Sequence, residues 1–359
     1  MIASLFQQKF TYVAARQRIV FESQAHLRVG EEVAALGRKR CLVLTTPEQA
    51  ATGTNLVSVL GQAAVEHFDG ATMHTPVDIT EKAVLLAQRV DADCLVAIGG
   101  GSTIGLSKAI ALRTALPQVV IPTSFAGSEA TPILGQTEAN RKTTLTDGRI
   151  RPDVVLYDVT LVRSLPPHLV ISSGMNALAH AIEGLYARDR NPIVSLMAIE
   201  GIRAIRSALL RLRQGEADDA AWSEALYGAW LCGSVLGQVG MALHHKLCHA
   251  LGGGFNLPHA ETHAVMLPHA VAYNEVVIPD LLQPVAAIFG TDTAHAGLTA
   301  FASQISAPTS LAELGFTVGD LPNAVKLATA NPYWNPRPVE RSGIEAILSR
   351  ALNGEPAQS

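Results

Sequence analysis

The 359-residue chain lacks the features that mark several classes of protein. Charged residues make up only 16%, and 27 Lys and Arg against 31 Asp and Glu leave a net charge of -4 at pH 7. Because such a chain carries no broad positive field for a phosphate backbone, we expect no nucleic-acid partner. No apolar run is long enough to cross a bilayer, and the first residues show no basic segment followed by an apolar core. We therefore expect neither a membrane segment nor a secretory signal.

Cysteine and aromatic residues are also scarce. The four cysteines form no CxxC pair, and they stand at Cys41, Cys94, Cys232 and Cys248. Several lie in apolar runs, where a free thiol behaves as a small hydrophobic side chain, so we expect buried, reduced thiols in a cytoplasmic protein. Aromatics make up 5%, but hydrophobic residues make up 48%, so a chain of this length can bury a sizeable core.

The first half of the chain alternates short β-branched runs with helical patterns. CLVLTT (41–46), CLVAIG (94–99) and QVVIPT (118–123) predict buried strands, and TNLVSVLGQAAVEHF (54–68) predicts one of the amphipathic helices between them. This alternation indicates a doubly wound, mostly parallel sheet covered on both faces. Between Thr137 and Asp158 we expect a hairpin and then a last strand, DVVLYD.

After Asp158 the periodicity becomes helical almost throughout, and Pro166 and Pro167 interrupt the chain there. We place a domain boundary near residue 160. The predicted architecture is an α/β dinucleotide-binding domain over 1–160 and an all-α catalytic domain over 161–359, with the cleft between them as the expected place for a small-molecule site.

A glycine-rich loop follows the strand over residues 94–99. Its residues are Gly99, Gly100, Gly101, Ser102 and Thr103, and a helical pattern begins there. Glycines allow a tight turn and a close approach to a ligand, and a helix start offers unpaired N–H groups to a pyrophosphate. The spacing GxGxxxG is not the dinucleotide fingerprint, so a plain tight turn remains the alternative.

A second polar loop, PTSFAGSE, follows the next strand over 122–129. Adjacent parallel strands end at the same edge of a sheet, where ligands bind, so this loop strengthens the case for a nucleotide site. Its candidate residues are Thr123, Ser124 and Ser128. A Ser-rich helix cap is the alternative.

Six of the twelve histidines lie between residues 244 and 269. Two pairs of polar residues spaced i, i+4 are candidates for a site, one inside this segment and one before it. Asn176 and His180 share a face of one predicted helix, and His245 and His249 share a face of another, with His259 following after a glycine break. Such pairs, closed by a ligand from a loop, are how helical domains build divalent metal sites.

The set Asn176, His180, His245 and His259 contains no anion, and a neutral amide is a weak ligand for a transition metal. We therefore predict weakened metal binding, with an imidazole as the electrophile. We expect the other three histidines to be ordinary core or surface residues: His244, His263 and His269.

Four long motifs, in this order, resemble those of the iron-containing (group III) alcohol dehydrogenases, whose fold is shared with glycerol dehydrogenase and dehydroquinate synthase. They are GGGS (99–102), PTSFAGSEAT (122–131), GMNALAHAIE (174–183) and HHKLCHALGGGFNLPHAETHAVMLPH (244–269). The resemblance spans nearly the whole chain. Within the family the chain looks most like the maleylacetate reductases, through FDGATMHTPVDIT (68–80) and NPYWNPRP (331–338).

The resemblance implies roles for individual residues. The family's metal carboxylate falls on Asn176, and its ligand histidines fall on His180, His245 and His259. His249 matches an active-site histidine that does not bind metal. The glycine loop matches the pyrophosphate loop, and the second loop matches a further cofactor segment, one residue shorter than the family's usual form. Thr45 and Thr46 match the adenosine end, and Lys142 resembles a lysine near the nicotinamide ribose.

The activity implied is reduction of the carbon–carbon double bond of 2-maleylacetate to 3-oxoadipate by NADH or NADPH, in the degradation of aromatic compounds. We expect His245 and His249 to be the electrophile and acid pair, with His180 and His259 shaping the pocket, Asn176 in the same catalytic set and no metal required. For the substrate's two carboxylates the candidates are Lys246, Tyr333 and Arg337.

Several alternatives stay open. A metal-dependent alcohol or aldehyde dehydrogenase of the same fold would need bound Fe or Zn, a lyase like dehydroquinate synthase would not oxidise NADH, and a cofactor-binding module would catalyse nothing. The choice between NADH and NADPH is also open. The family implies a homodimer.

Overall fold

The computed structural model describes residues 9–138, 141–330 and 333–358, with residues 141 and 142 described by their backbone alone. These residues form two compact units. One is Ala14–Leu165, and the other runs from Pro166 onward and includes the segment before Ala14.

The unit Ala14–Leu165 is built on a six-stranded parallel sheet in the order β1-β8-β5-β4-β2-β3. Its strands are β1 (Arg18–Glu22), β2 (Cys41–Leu44), β3 (Ala64–Phe68), β4 (Cys94–Gly99), β5 (Gln118–Pro122) and β8 (Val154–Asp158). An antiparallel pair is formed by β6 (Ile133–Glu138) and β7 (Arg141–Thr146). The helices are α1 (Val29–Ala35), α2 (Ala50–Leu60), α3 (Val77–Arg89), α4 (Gly101–Thr114) and α5 (Val159–Val162).

Every residue of β2, β4, β5 and β8 is buried, as expected for parallel strands covered on both faces. Two sequence predictions were wrong in detail. The helix predicted over 54–68 ends at Leu60, because Gly61 takes a positive φ of 56°, and Ala64–Phe68 becomes the edge strand β3. The hairpin begins at Ile133, before the predicted start at Thr137, and Gly148–Ile150 forms a 3-10 turn after it.

The second unit is helical. Its helices are α6 (Pro167–Leu185), α7 (Pro192–Arg213), α8 (Asp219–Leu236), α9 (Leu243–Phe255), α10 (His259–Glu275), α11 (Pro279–Phe289), α12 (Ala294–Gln304), α13 (Leu321–Thr329) and α14 (Arg341–Asn353). A hydrophobic core shared by α9, α10, α13 and α14 holds these four helices together. The predicted fold class is confirmed. Within the described ranges, no helix has both the length and the apolar character needed to cross a membrane.

The starts of these helices are capped in two ways. Asn191 and Asp218 accept backbone N–H bonds at the starts of α7 and α8, which is ordinary local capping. No side chain of their own N-cap residue caps α9 and α12; distant glutamates, Glu183 and Glu275, accept the backbone N–H groups there instead. The cap of α9 lies in the candidate active site.

Candidate active site

Glu183 on α6 organises the start of α9. Its carboxylate is fully buried and accepts the backbone N–H groups of Ala242 at 3.2 Å and His244 at 2.9 Å. It also lies 2.6 Å from Nδ1 of His245. Burial alone would raise the pKa of Glu183, but the hydrogen bond from His245 and the charge of that ring lower it to about 2. The ionised carboxylate therefore holds the proton of His245 on Nδ1 and leaves Nε2 for a ligand.

Six imidazoles lie together around this pair, and we call them the imidazole cluster: His180, His244, His245, His249, His259 and His263. His263 is at its centre, with ring centroids 4.4 Å from His259 and 4.9 Å from His245. The cluster forms because helical positions four apart share a face: His245 and His249 on α9, and His259 and His263 on α10.

Burial keeps part of the cluster uncharged. It lowers the pKa of His180 and His263 well below the ordinary value, with neighbouring histidines adding to the effect, and it lowers the pKa of His244 to about 3. Several buried polar atoms of the cluster and of Asn176 make no hydrogen bond within the described chain: Asn176 Oδ1, His180 Nδ1, His245 Nε2 and His263 Nε2. Because unpaired buried polar atoms are costly, their concentration in one place makes this the candidate ligand site.

The donors at the family's metal position do not suit iron. Asn176 offers a neutral amide and the other three donors are imidazoles, so no anion would balance a divalent ion. The nearby carboxylate of Glu183 already accepts hydrogen bonds at both oxygens. In the part of the chain that is described, the three side chains that bring ligand atoms within 4.8 Å of one another are instead His244, Cys248 and His263.

The candidate substrate residues line two cavities of the helical unit. Lys246 and His249 line one of about 280 Å³. Tyr333 and Arg337 line another of about 250 Å³. Lys246 Nζ lies 5.5 Å from the ring centroid of Tyr333, whose hydroxyl makes no hydrogen bond within the described residues.

Arg337 is partly engaged by the protein itself. Its guanidinium stacks on the ring of Tyr273 at 4.1 Å, and its Nη1 donates to the Tyr273 carbonyl at 3.0 Å. Asn335 fixes the same loop by bonding Asn274 and the backbone N–H of Leu243. The loop is therefore held to the start of α9 and to the end of α10. The remaining N–H groups of the Arg337 guanidinium are left for a carboxylate.

The two predicted cofactor loops meet in the α/β unit. The backbone N–H of Thr123 donates to the carbonyl of Gly99 at 3.0 Å. Gly99 has a φ of 155°, and a Cβ there would lie 2.4 Å from Oγ1 of Thr103, so only glycine fits. Gly100 precedes α4 and Gly101 begins it, so the first N–H groups of a fourteen-residue helix are available to a phosphate. The loop suits a phosphate group.

Other predicted cofactor residues differ in how accessible they are. Ser102, Ser124, Ser128 and Thr46 are half-buried. Thr103 is fully buried, and so is Thr45, whose hydroxyl lies 2.8 Å from Nε2 of His67. The side chain of Lys142 lies outside the described residues.

Sequence reasoning missed three members of the site. The signal for Glu183 was its place three residues after His180 on one helix face. The structure differs from the expectation that His244 and His263 are ordinary residues, because both lie inside the cluster with Nε2 and Nδ1 3.0 Å apart. The i, i+4 spacing of His259 and His263 could have indicated this. His269 does lie apart, on a different cavity lined by Thr299 and Ser303.

Comparisons with known proteins identify the family to which the chain belongs. The model of the iron-containing alcohol dehydrogenases matches residues 16–159, and that of the C-terminal part of the Fe-containing alcohol dehydrogenase family matches residues 170–352. The chain is 55% identical to the maleylacetate reductase of a Rhizobium species over 97% of this chain and 99% of that protein. The chain is 50% identical to the maleylacetate reductase of Burkholderia cepacia over 96% of this chain and 98% of that protein.

Among solved structures, the maleylacetate reductase from Agrobacterium tumefaciens is similar with a TM-score of 0.95 at 55% identity, covering 98% of this chain and all of that one. The chain belongs to the iron-containing alcohol dehydrogenase family and is an oxidoreductase. The family resemblance derived from the motifs is confirmed.

Proposed function

We propose that the protein reduces the carbon–carbon double bond of 2-maleylacetate to give 3-oxoadipate, with NADH or NADPH as the reductant. The observation that carries this proposal is the imidazole cluster, in which several buried polar atoms make no hydrogen bond within the described residues and the four donors at the family's metal position include no anion. Relatives named maleylacetate reductases, at 50 and 55% identity over nearly the whole chain, support the substrate.

The reaction makes two demands on the protein. Hydride addition to an alkene conjugated with a ketone places negative charge on the ketone oxygen, and the carbon beside that ketone must then take a proton. The bound dinucleotide supplies the hydride. A hydrogen-bond donor must stabilise the oxygen, and an acid must supply the proton.

We assign the two tasks to His245 and His249. The carboxylate of Glu183 orients the His245 ring through Nδ1, and we assign Nε2–H of that ring to donate to the enolate oxygen. His249 lies one turn further along α9, at 6.1 Å between ring centroids, and supplies the proton to carbon. His180, His259 and Asn176 shape the pocket around them.

The substrate's two carboxylates need cationic partners. Lys246 lines the same cavity as His249, and Arg337 and Tyr333 line a second cavity, so we assign these three side chains to the carboxylates. The pyrophosphate is assigned to Gly99–Thr103 and the rest of the cofactor to the loop of Thr123, Ser124 and Ser128. Thr45 and Thr46 are assigned to the adenosine end of the cofactor, and Lys142 is assigned to the nicotinamide ribose.

The protein is proposed to act as a cytoplasmic homodimer.

The same donor set leads us to propose turnover without a metal. The test is the loss of NADH absorbance with maleylacetate, and with simple aldehydes, after dialysis against a chelator. We expect rapid oxidation with maleylacetate only, unchanged by the chelator. Activity that collapses and returns with iron, or that extends to simple aldehydes, would identify a metal-dependent alcohol dehydrogenase instead.

A further inference from the structure

Three soft donors converge behind the imidazole cluster, and the reaction proposed above uses none of them directly. Nε2 of His244 lies 3.0 Å from Nδ1 of His263 and 3.7 Å from Sγ of Cys248. His244 and Cys248 are one turn apart on α9, and His263 comes from α10, so two helices hold the three atoms in place. All three side chains are completely buried.

We propose that His244, Cys248 and His263 form a binding site for a thiophilic cation, with Zn²⁺ as the ion that fits best, and that its occupation inhibits the enzyme. Imidazole nitrogen and thiolate sulfur are ligand types that zinc takes in proteins. The spacing of the three atoms suits ligands about 2.0–2.3 Å from one ion. The site shares no ligand with the set Asn176, His180, His245 and His259 at the family's metal position.

Binding changes only protons. The thiol of Cys248 releases one proton to water as its sulfur binds the ion. The proton between His244 and His263 moves to the other nitrogen of the ring that carried it, so both facing nitrogens become ligands. For His263 that other nitrogen is Nε2, which makes no hydrogen bond within the described chain and can accept it.

Inhibition follows from the position of His263. Its ring lies 4.9 Å from that of His245, the proposed hydrogen-bond donor, and 4.4 Å from that of His259 in the pocket, so ligation by the Cys248 thiolate and two imidazoles places a net charge of +1 beside both rings. Because the three donors are fully buried, the ion enters only when the helices open locally. We expect inhibition that develops slowly and that a chelator reverses slowly.

Binding can be tested without any activity measurement. Titration of the wild-type protein with Co²⁺ is expected to give a thiolate-to-cobalt charge-transfer absorption at one equivalent, and Zn²⁺ should displace it. Cys248→Ser should remove that absorption and weaken Zn²⁺ binding by more than about 100-fold, since even changes outside the ligand shell cost about 10- to 100-fold. Cys232→Ser, at another buried cysteine on α8, is the matched control and should bind as the wild type does.

Inhibition is tested with the same variants. Cys248→Ser should keep its turnover and lose inhibition by Zn²⁺, whereas Cys232→Ser should keep both. Inhibition that persists in Cys248→Ser and disappears in His180→Asn would place the ion at the family's metal position and overturn the proposal. An absent charge-transfer band in the wild type would overturn it as well, and neither result bears on whether maleylacetate is the substrate.

Discussion

Two glutamate–histidine pairs in the helical unit have nearly the same geometry. Glu183 lies 2.6 Å from Nδ1 of His245 and caps the start of α9, and Glu275 lies 2.6 Å from Nδ1 of His295 and caps the start of α12. In both, the carboxylate also accepts the backbone N–H of its own histidine partner. The local chemistry, a carboxylate at a positive helix end that also orients an imidazole, is the same.

The surroundings of the two pairs differ. His245 lies within the imidazole cluster, and its Nε2 is buried with no hydrogen bond inside the described chain. His295 is more exposed, at 15% of its side chain against 9%, and no other imidazole lies against it among the described residues. The motif itself is thus a means of starting a helix. It gains chemical use only where the second nitrogen faces other polar groups and a ligand.

Replacing the histidines tests this difference most strongly. His245→Asn should lower kcat by about 10²–10⁴-fold, the usual contribution of a positioned acid or hydrogen-bond donor. His295→Asn should leave kcat near that of the wild type, because its ring touches no group assigned to the reaction. Steady-state NADH oxidation with maleylacetate measures both. Equal losses in the two variants would mean that His245 acts only through folding.

Replacing the glutamates separates orientation from capping. Glu183→Gln keeps the shape of the side chain but removes the carboxylate that accepts the Nδ1–H of His245, so kcat should fall about 10- to 100-fold, as for outer groups that orient a functional histidine. Glu275→Gln should lose stability without losing kcat. Urea unfolding should show that both variants lose about 1–3 kcal/mol, since each weakens buried hydrogen bonds to a charged acceptor. A fall in kcat for Glu275→Gln of the same size would erase the distinction.

The sequence predicted the α/β unit better than the helical site, for physical reasons. Strands β2, β4 and β5 are continuous buried runs, and a glycine loop before a helix can be recognised directly from the order of its residues. The contacts of Glu183 with α9, and of His244 with His263, depend on how α6, α9 and α10 pack against one another. The spacing of residues along a single helix carries no information about that packing. The i, i+4 rule found Asn176 with His180 and His245 with His249. It could not show that a carboxylate from α6 would cap α9.

Asn176→Asp asks whether the cluster can become a metal site. A carboxylate there would supply the missing anion beside three imidazoles, so we expect at least about tenfold tighter binding of Fe²⁺. Elemental analysis after loading and dialysis measures it, in the Cys248→Ser background so that the soft donors do not contribute. An iron-free Asn176→Asp protein would count against the geometry assigned to these four positions.

The smallest expected effect is on the pH dependence of stability. The pKa of Glu183 is lowered from its ordinary value of 4.5 to about 2, so the folded protein holds fewer protons than the unfolded chain between these values. The stability that this carboxylate contributes is therefore fully present above pH 4.5 and is lost as the pH falls towards 2. In Glu183→Gln the free energy of unfolding should fall less steeply from pH 5 to pH 3 than in the wild type. Urea midpoints across that range measure the slope. If the two slopes were equal, His245 and the backbone N–H groups would not be holding the carboxylate in its charged form, and the pair at α9 would differ from the pair at α12 by its neighbours alone.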